Sequence, residues 1–186
     1  MKRIDYHKDI FVIDDFLSKE ECVQLITIAE DVGFEEAKVQ IGYGHQSAIK
    51  SVRNNERIFY ENKELASKFY NRAKPWLNPS VGIYNLTGLN ELFRFYKYSP
   101  GQRFKMHNDG SYERNNTECS FYTFFLYLND DFAGGETEFE NICTVSPKSG
   151  SLLVFIHPLR HEGKTLISGT KYALRSDVMY KLAEES

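Results

Sequence analysis

The sequence predicts a mainly β protein of the α+β class, a barrel or jelly roll with its helices confined to the N-terminal half. Three observations carry this. Aromatic residues reach 15%, with 14 Phe and 12 Tyr, and large aromatics suit the pleated, half-buried surface of a sheet. From about residue 91 onward, short apolar or alternating runs recur with turn residues between them, the pattern of many short strands. Apolar residues at helical spacing occur in two stretches, both before residue 75.

Bulk properties narrow the function. A length of 186 residues suits one core, so the expectation is a single domain over 1–186, with 1–90 as helical and strand support and 91–183 as the sheet core. Hydrophobic content of 41% and charged content of 26% are those of a globular protein. A net charge of −3 and the lack of a long basic run argue against nucleic acid as a partner. Cys22, Cys119 and Cys143 form no Cys-x-x-Cys pair, so neither a disulfide framework nor a zinc cluster is expected. The start, MKRIDYHKDIFVIDDF, is too charged for a signal peptide, and no apolar run approaches the length of a membrane span. A cytoplasmic protein with no membrane partner is the expectation. Oligomeric state is not legible.

The elements follow in order. Asp9 to Phe16 reads as a strand. Ser18 with Glu21 three residues on is a capping-box pattern, and Cys22, Leu25, Ile26 and Ala29 mark a helix over about 19–32 that Gly33 ends. Residues 34–60 read as strands and turns around a polar loop. Arg53 and Asn55 on that loop are candidate substrate contacts at the rim, because connecting loops carry binding residues; His45 reads as a surface histidine. Leu65, Phe69 and Ala73 mark a second helix closed by Pro75, and Trp76 would plug the core or the helix–sheet seam. Residues 78–90 read as loop.

After residue 90, ELFRFYKY alternates, with Phe93 and Phe95 on one face and Arg94, Tyr96 and Tyr98 on the other. A turn at Ser99-Pro100-Gly101 leads to a strand over 104–109. SYERNNTECS reads as either a loop or a lid. FYTFFLYLNDD is a buried aromatic strand, Gly134-Gly135 a tight turn, SLLVFIH an apolar strand and TKYALRSDVMY the last strand.

The chemistry is concentrated in KMHNDG, 105–110. In an extended strand His107 and Asp109 would point to one face, where an imidazole nitrogen and a carboxylate oxygen could reach one metal ion. A third ligand must come from elsewhere, and His157 and His161 are the downstream candidates. Two histidines and one carboxylate on one face of an octahedron leave three positions open, the arrangement of non-haem iron(II) oxygenases.

Taken together, YSPGQRFKMHNDG, YTFFLYLNDDFAGGETEF, GSLLVF and HEGKTLISGTKY resemble the prolyl 4-hydroxylase-like branch of the 2-oxoglutarate- and iron(II)-dependent dioxygenases over about 92–182. The resemblance implies a double-stranded β-helix (jelly-roll) core with helices packed on one sheet. It implies His107, Asp109 and His161 as iron ligands and catalytic residues, since Gly169 and Lys171 follow His161 at the family's spacing. It implies iron(II), 2-oxoglutarate and dioxygen, with ascorbate as an accessory. Lys171 matches the cation for the far carboxylate of 2-oxoglutarate, with Tyr98 and Thr123 beside it; Arg175, on the same strand face, is the alternative cation. The family's Cys-Pro-Val is here Lys164-Thr165-Leu166 and its tryptophan after the basic residue is Tyr172, so the substrate lip differs. The implied reaction hydroxylates an unactivated C–H bond of a peptidyl side chain, proline first, releasing succinate and carbon dioxide. The alternatives are a free amino acid or small metabolite as substrate, or an inactive jelly-roll binding module.

Overall fold

A computed structural model describes residues 1–37, 39–40, 46–47 and 54–183. Two strands, β1 (Lys2–His7) and β2 (Ile10–Asp14), form an opening hairpin. Helix α1 (Lys19–Val32) starts where its cap dictates: the Ser18 hydroxyl accepts from the Glu21 N–H at 3.2 Å, and the Glu21 carboxylate accepts from the Ser18 N–H at 3.1 Å. Each half of the box satisfies a backbone donor that the first turn leaves unpaired. Strand β3 (Glu56–Glu61) leads into α2 (Lys63–Ala73), capped by the Asn62 side chain, and a single 3₁₀ turn at Lys74–Trp76 carries Pro75. Trp76 is half-buried against the helix-side core, and its carbonyl accepts from Arg3 at 2.8 Å.

The stretch expected as loop before residue 90 is a strand in its middle, β4 (Tyr84–Leu89), paired with Ser80–Val81. Its Asn, Thr and Gly hide it from a reading by propensity; the unpaired edge of the last strand supplies the partner that forms it. Then come β5 (Leu92–Tyr98), β6 (Phe104–His107), β7 (Glu118–Tyr127), β8 (Thr137–Phe139), β9 (Cys143–Val145), β10 (Leu152–Ile156), β11 (His161–Gly163) and β12 (Lys171–Leu182). The polar stretch before β7 forms a short strand, Glu113–Asn115, that turns back onto the start of β7. Arg114 clips it in place through ion pairs to Glu118 and Glu91.

Two sheets face each other, as in a jelly roll. The larger runs β1-β2-β10-β7-β12-β5-β3, with β4 on the far end of β12; the smaller runs β6-β11-β8-β9. Period-two alternation sorts the larger sheet into two faces. Phe93 and Phe95 of β5, Phe124 and Leu126 of β7, Val154 of β10, and Leu174 and Val178 of β12 pack beneath the helices, joined by Phe69 and Leu25. Phe16, Phe69 and Phe124 form a three-ring cluster with centroids 5.7–6.1 Å apart. The opposite face looks into the roll and carries Tyr96 and Tyr98 of β5, Tyr127 of β7, Leu153 and Phe155 of β10, and Lys171, Ala173, Arg175 and Asp177 of β12. A bulge between Ser120 and Tyr122 breaks the alternation of β7. Tyr122 stays with the helix-side core, while Ser120 reaches a residue inside the roll.

Candidate metal and cosubstrate site

Antiparallel pairing of β6 with β11 sets His107 directly opposite His161, and their ring centroids lie 4.3 Å apart. Each ring is oriented by the backbone. His107 Nδ1 lies 2.7 Å from the Lys105 carbonyl oxygen, and His161 Nδ1 lies 3.0 Å from that of Leu159. A carbonyl only accepts, so both Nδ1 atoms carry the proton and both Nε2 atoms present lone pairs. Those lone pairs converge on Asp109: His107 Nε2 is 3.7 Å from Oδ1 and His161 Nε2 is 3.8 Å from Oδ2. One donor atom from each of the three residues falls within 4.8 Å of the others. Phe104 stacks on the His107 ring at 3.6 Å, and Phe155 and Phe139 flank His161 at 4.5 and 5.7 Å, so packing as well as hydrogen bonding holds the imidazoles.

Asp109 is presented differently from the expectation. The expected strand over 104–109 stops at His107, so no ladder of backbone bonds holds the carboxylate. Side chains hold it instead. Thr123 Oγ1 donates to Oδ2 at 2.6 Å, and Arg175 Nη1 forms an ion pair with Oδ1 at 3.0 Å. Arg175 Nη2 also donates to Asp177 Oδ1 at 3.0 Å, and Arg94 Nη1 donates to Asp177 Oδ2 at 3.0 Å. Arg94 and Arg175 stand opposite each other on β5 and β12. Two like charges in that position repel, and Asp177 between them relieves it. The result is a row of alternating charge, Arg94, Asp177, Arg175, Asp109, in which Asp177 is buried and the other three are partly buried.

The charges follow from this row. Burial would raise the Asp109 pKa, but the Arg175 charge beside it holds it well below the usual carboxylate range. Asp177 is likewise lowered, its burial outweighed by Arg175 and Arg94. Burial disfavours a charged Arg175, yet the two carboxylates raise its pKa further. Burial is the main cause that pushes His161 down to about 4, so at neutral pH it is the neutral imidazole that a metal requires.

A cavity opens beside the three candidate ligands, lined also by Tyr98, Phe104, Phe125, Thr137, Phe155 and Arg175. Lys171 lies behind this lining at 3% exposure. Its ammonium donates to the Gly135 carbonyl at 2.6 Å and sits 5.4 Å from the Tyr98 and Tyr127 ring centroids and 5.9 Å from that of Phe125. An ammonium has three donors, and the Gly135 carbonyl uses one. Burial lowers its pKa to about 7, with Glu136 opposing. A buried cation with donors to spare, ringed by aromatics, fits the far carboxylate of a dicarboxylic acid. Two imidazoles and one carboxylate fit a non-haem iron(II) ion.

The remaining sequence expectations fare unevenly. Tyr98 lines the cavity beside Lys171. Arg175 lines it too, with its terminal nitrogens engaged by Asp109 and Asp177 and its Nε without a hydrogen-bond partner among the described residues. Thr123 was expected at the cosubstrate's far end; its hydroxyl instead donates to Asp109. Asn55 was expected on an exposed rim, yet it is fully buried and its side-chain amide donates to the Glu56 carbonyl. Arg53 and His45 lie outside the described residues. The sequence reading missed Thr137, whose hydroxyl bonds that of Tyr127 at 2.7 Å at the cavity wall. The alternation of Thr137 with Phe139 was the available signal. His157 is buried, hydrogen-bonded to Ser120 and Thr123, and is not among the converging donors.

Residues 93–176 match the model of the 2OG-Fe(II) oxygenase superfamily. A putative prolyl 4-hydroxylase of Acanthamoeba polyphaga mimivirus is 25% identical over 90% of this chain and 73% of its own length. A probable prolyl 4-hydroxylase of Arabidopsis thaliana is 29% identical over 73% of this chain, which spans 46% of that protein. Among solved structures, a Trichoplax adhaerens prolyl hydroxylase in complex with a hypoxia-inducible-factor oxygen degradation domain peptide superposes with a TM-score of 0.69 at 20% identity, over 94% of this chain and 83% of that one. Among the described residues no helix is long and apolar enough to cross a membrane.

Proposed function

We propose that the chain, whose residues 93–176 match the 2OG-Fe(II) oxygenase superfamily model, is a prolyl 4-hydroxylase-like dioxygenase, that its substrate is a peptidyl side chain, proline first, and that His107, Asp109 and His161 hold the iron. The observation that carries the assignment is the convergence of these three donor atoms beside one cavity. The family's cofactors are iron(II) and 2-oxoglutarate. When bound they supply the oxidising power that converts an unactivated C–H bond to an alcohol, with release of succinate and carbon dioxide.

The chain's own residues do the rest. The carbonyls of Lys105 and Leu159 keep the two Nε2 lone pairs aimed inward. The Arg175 charge holds Asp109 ionised, and the Thr123 hydroxyl orients it through one lone pair of one oxygen, leaving others free. Lys171 would pair with the far carboxylate of 2-oxoglutarate, with the Tyr98 ring beside its ammonium. Phe104, Phe125 and Phe155 exclude water from the reacting centre, which strengthens each electrostatic contact there. A peptide substrate is supported by the names of both relatives and by the peptide held by the Trichoplax enzyme.

The test is iron-dependent succinate formation from 2-oxoglutarate, with mass spectrometry of proline-containing peptides for one added oxygen atom. The expected result is both together. Succinate formation that no peptide stimulates, but a free amino acid does, would move the substrate to the small-molecule class. No iron-dependent succinate at all would sink the ligand assignment.

A further inference from the structure

Asp109 lies beyond the end of its strand, and the groups that hold it continue into a hydrogen-bond chain whose direction can be worked out atom by atom. An ionised carboxylate only accepts, so the Thr123 hydroxyl must spend its one hydrogen on Asp109 Oδ2, at 2.6 Å. Toward His157, Thr123 can therefore only accept, and His157 Nδ1, at 3.1 Å, must be the donor. A neutral imidazole carries one hydrogen, which leaves Nε2 as an acceptor. Ser120 Oγ lies 2.9 Å from it and donates. With its hydrogen committed, Ser120 Oγ accepts from the backbone N–H of Tyr112 at 2.8 Å. Every donor has one acceptor, and the chain closes with the ring neutral. The ring's burial, at 4% exposure, and the lowering of its pKa by that burial agree with the neutral form.

We propose that His157, as the neutral Nδ1–H tautomer, is a positioning residue for the iron-binding carboxylate: it locks the Thr123 hydroxyl toward Asp109 and ties both to the backbone at Tyr112. The chain runs from residue 112 through the core and back to residue 109. It clamps the segment that carries the ligand at both ends, with the Ser111 hydroxyl on the Ser120 carbonyl at 2.6 Å as a further tie. Without it Thr123 could turn its hydrogen away, and Arg175 would be the one group left directing Asp109. The bulge at Ser120–Tyr122 gains a purpose, because it is what lets Ser120 reach the imidazole inside the roll.

The inference rests on Asp109 being an iron ligand, and its test separates the two. Nitrogen NMR of the His157 ring in the metal-free parent protein should find the proton on Nδ1 between pH 6.5 and 8; a proton on Nε2 overturns the proposal. Binding of Mn(II) as a redox-silent stand-in for iron supplies the second readout. His157→Leu should weaken it about tenfold, as loss of a partner behind a metal ligand does. His157→Asn, whose amide N–H can replace the Nδ1 donor, should bind close to the parent, whereas His157→Gln should resemble His157→Leu. Equal binding by folded His157→Leu and the parent overturns the role. Asp109→Ala that still binds Mn(II) at parental affinity removes the reading on which the proposal stands, and leaves the ring tautomer as measured.

Discussion

The two faces of β12 carry different burdens. On the helix side Leu174, Val178 and Tyr180 lie in one apolar cluster with Phe69, Phe93 and Phe124. On the inner side the same strand offers three ionisable groups, Lys171 and Asp177, both buried, and Arg175, partly buried. One face contributes stability through apolar area removed from water. The other holds charges in a low-dielectric interior, which is tolerable because they are paired. Substitutions on the two faces should therefore fail in different assays.

The largest effect tests the inner face opposite β12. His107→Ala should abolish iron binding and turnover while the melting temperature of the metal-free protein stays near that of the parent. Turnover that survives removes His107 from the ligand set. Next comes the helix face. Phe124→Ala, at 0% exposure, should cost about 3–5 kcal/mol in denaturant unfolding, yet the fraction that stays folded should bind 2-oxoglutarate as the parent does. Weakened binding in that fraction would mean the faces are coupled.

Asp177→Asn joins the two assays. It leaves Arg94 and Arg175 facing each other without the charge between them, and should cost roughly 3 kcal/mol of stability. It should also weaken metal binding, because Arg175 is then free to draw closer to Asp109. A double change, Asp177→Asn with Arg94→Gln, should recover part of the stability, and no recovery would argue against the alternating row.

The smallest effects concern pH. Lys171 has its pKa lowered by burial to about 7, against an ordinary value of about 10.4. Between those limits the unfolded chain binds more protons than the folded one, so the contribution of Lys171 to stability rises with pH across that window and is flat below about 7. Lys171→Met should flatten the slope of stability against pH from 7 to 10. It should also raise the 2-oxoglutarate requirement about 30-fold, the loss of roughly 2 kcal/mol. In the parent, 2-oxoglutarate binding near pH 8 should take up a proton, seen by calorimetry in buffers of different ionisation enthalpy, and the variant should not. His161 gives a second window: with its pKa lowered to about 4 against about 6.5, the unfolded chain takes the proton first. The metal-free protein should lose stability as pH falls from 6.5 to 4, and His161→Gln should lessen that loss.

Much of this was legible in the chain. The capping box at Ser18 and Glu21 set the start of α1, because the signal lies within four residues. The alternation in 92–98 put Phe93 and Phe95 on one face and Arg94, Tyr96 and Tyr98 on the other. The order of His107, Asp109, His161 and Lys171 was readable through family resemblance, and geometry brings the first three together. The failures share a form. Asn55 was read as a substrate contact on a loop rim, whereas it is buried, its backbone pairing with Ala37 and its side chain with Glu56. Residues 84–89 were read as loop because their propensity is poor, whereas β12 supplies the partner.

Local pattern, then, determined the kinds of elements, their faces and the residue types able to meet at a metal, since periodicity and caps act over a few positions. Which groups touch was decided by register between strands far apart in the chain. His107 meets His161 because β6 and β11 align at that pair. Ser120 reaches His157 because a bulge flips one residue of β7. Arg175 serves Asp109 because burial allows an ionised carboxylate only beside a charge of opposite sign, and the fold leaves that guanidinium within 3.0 Å of it.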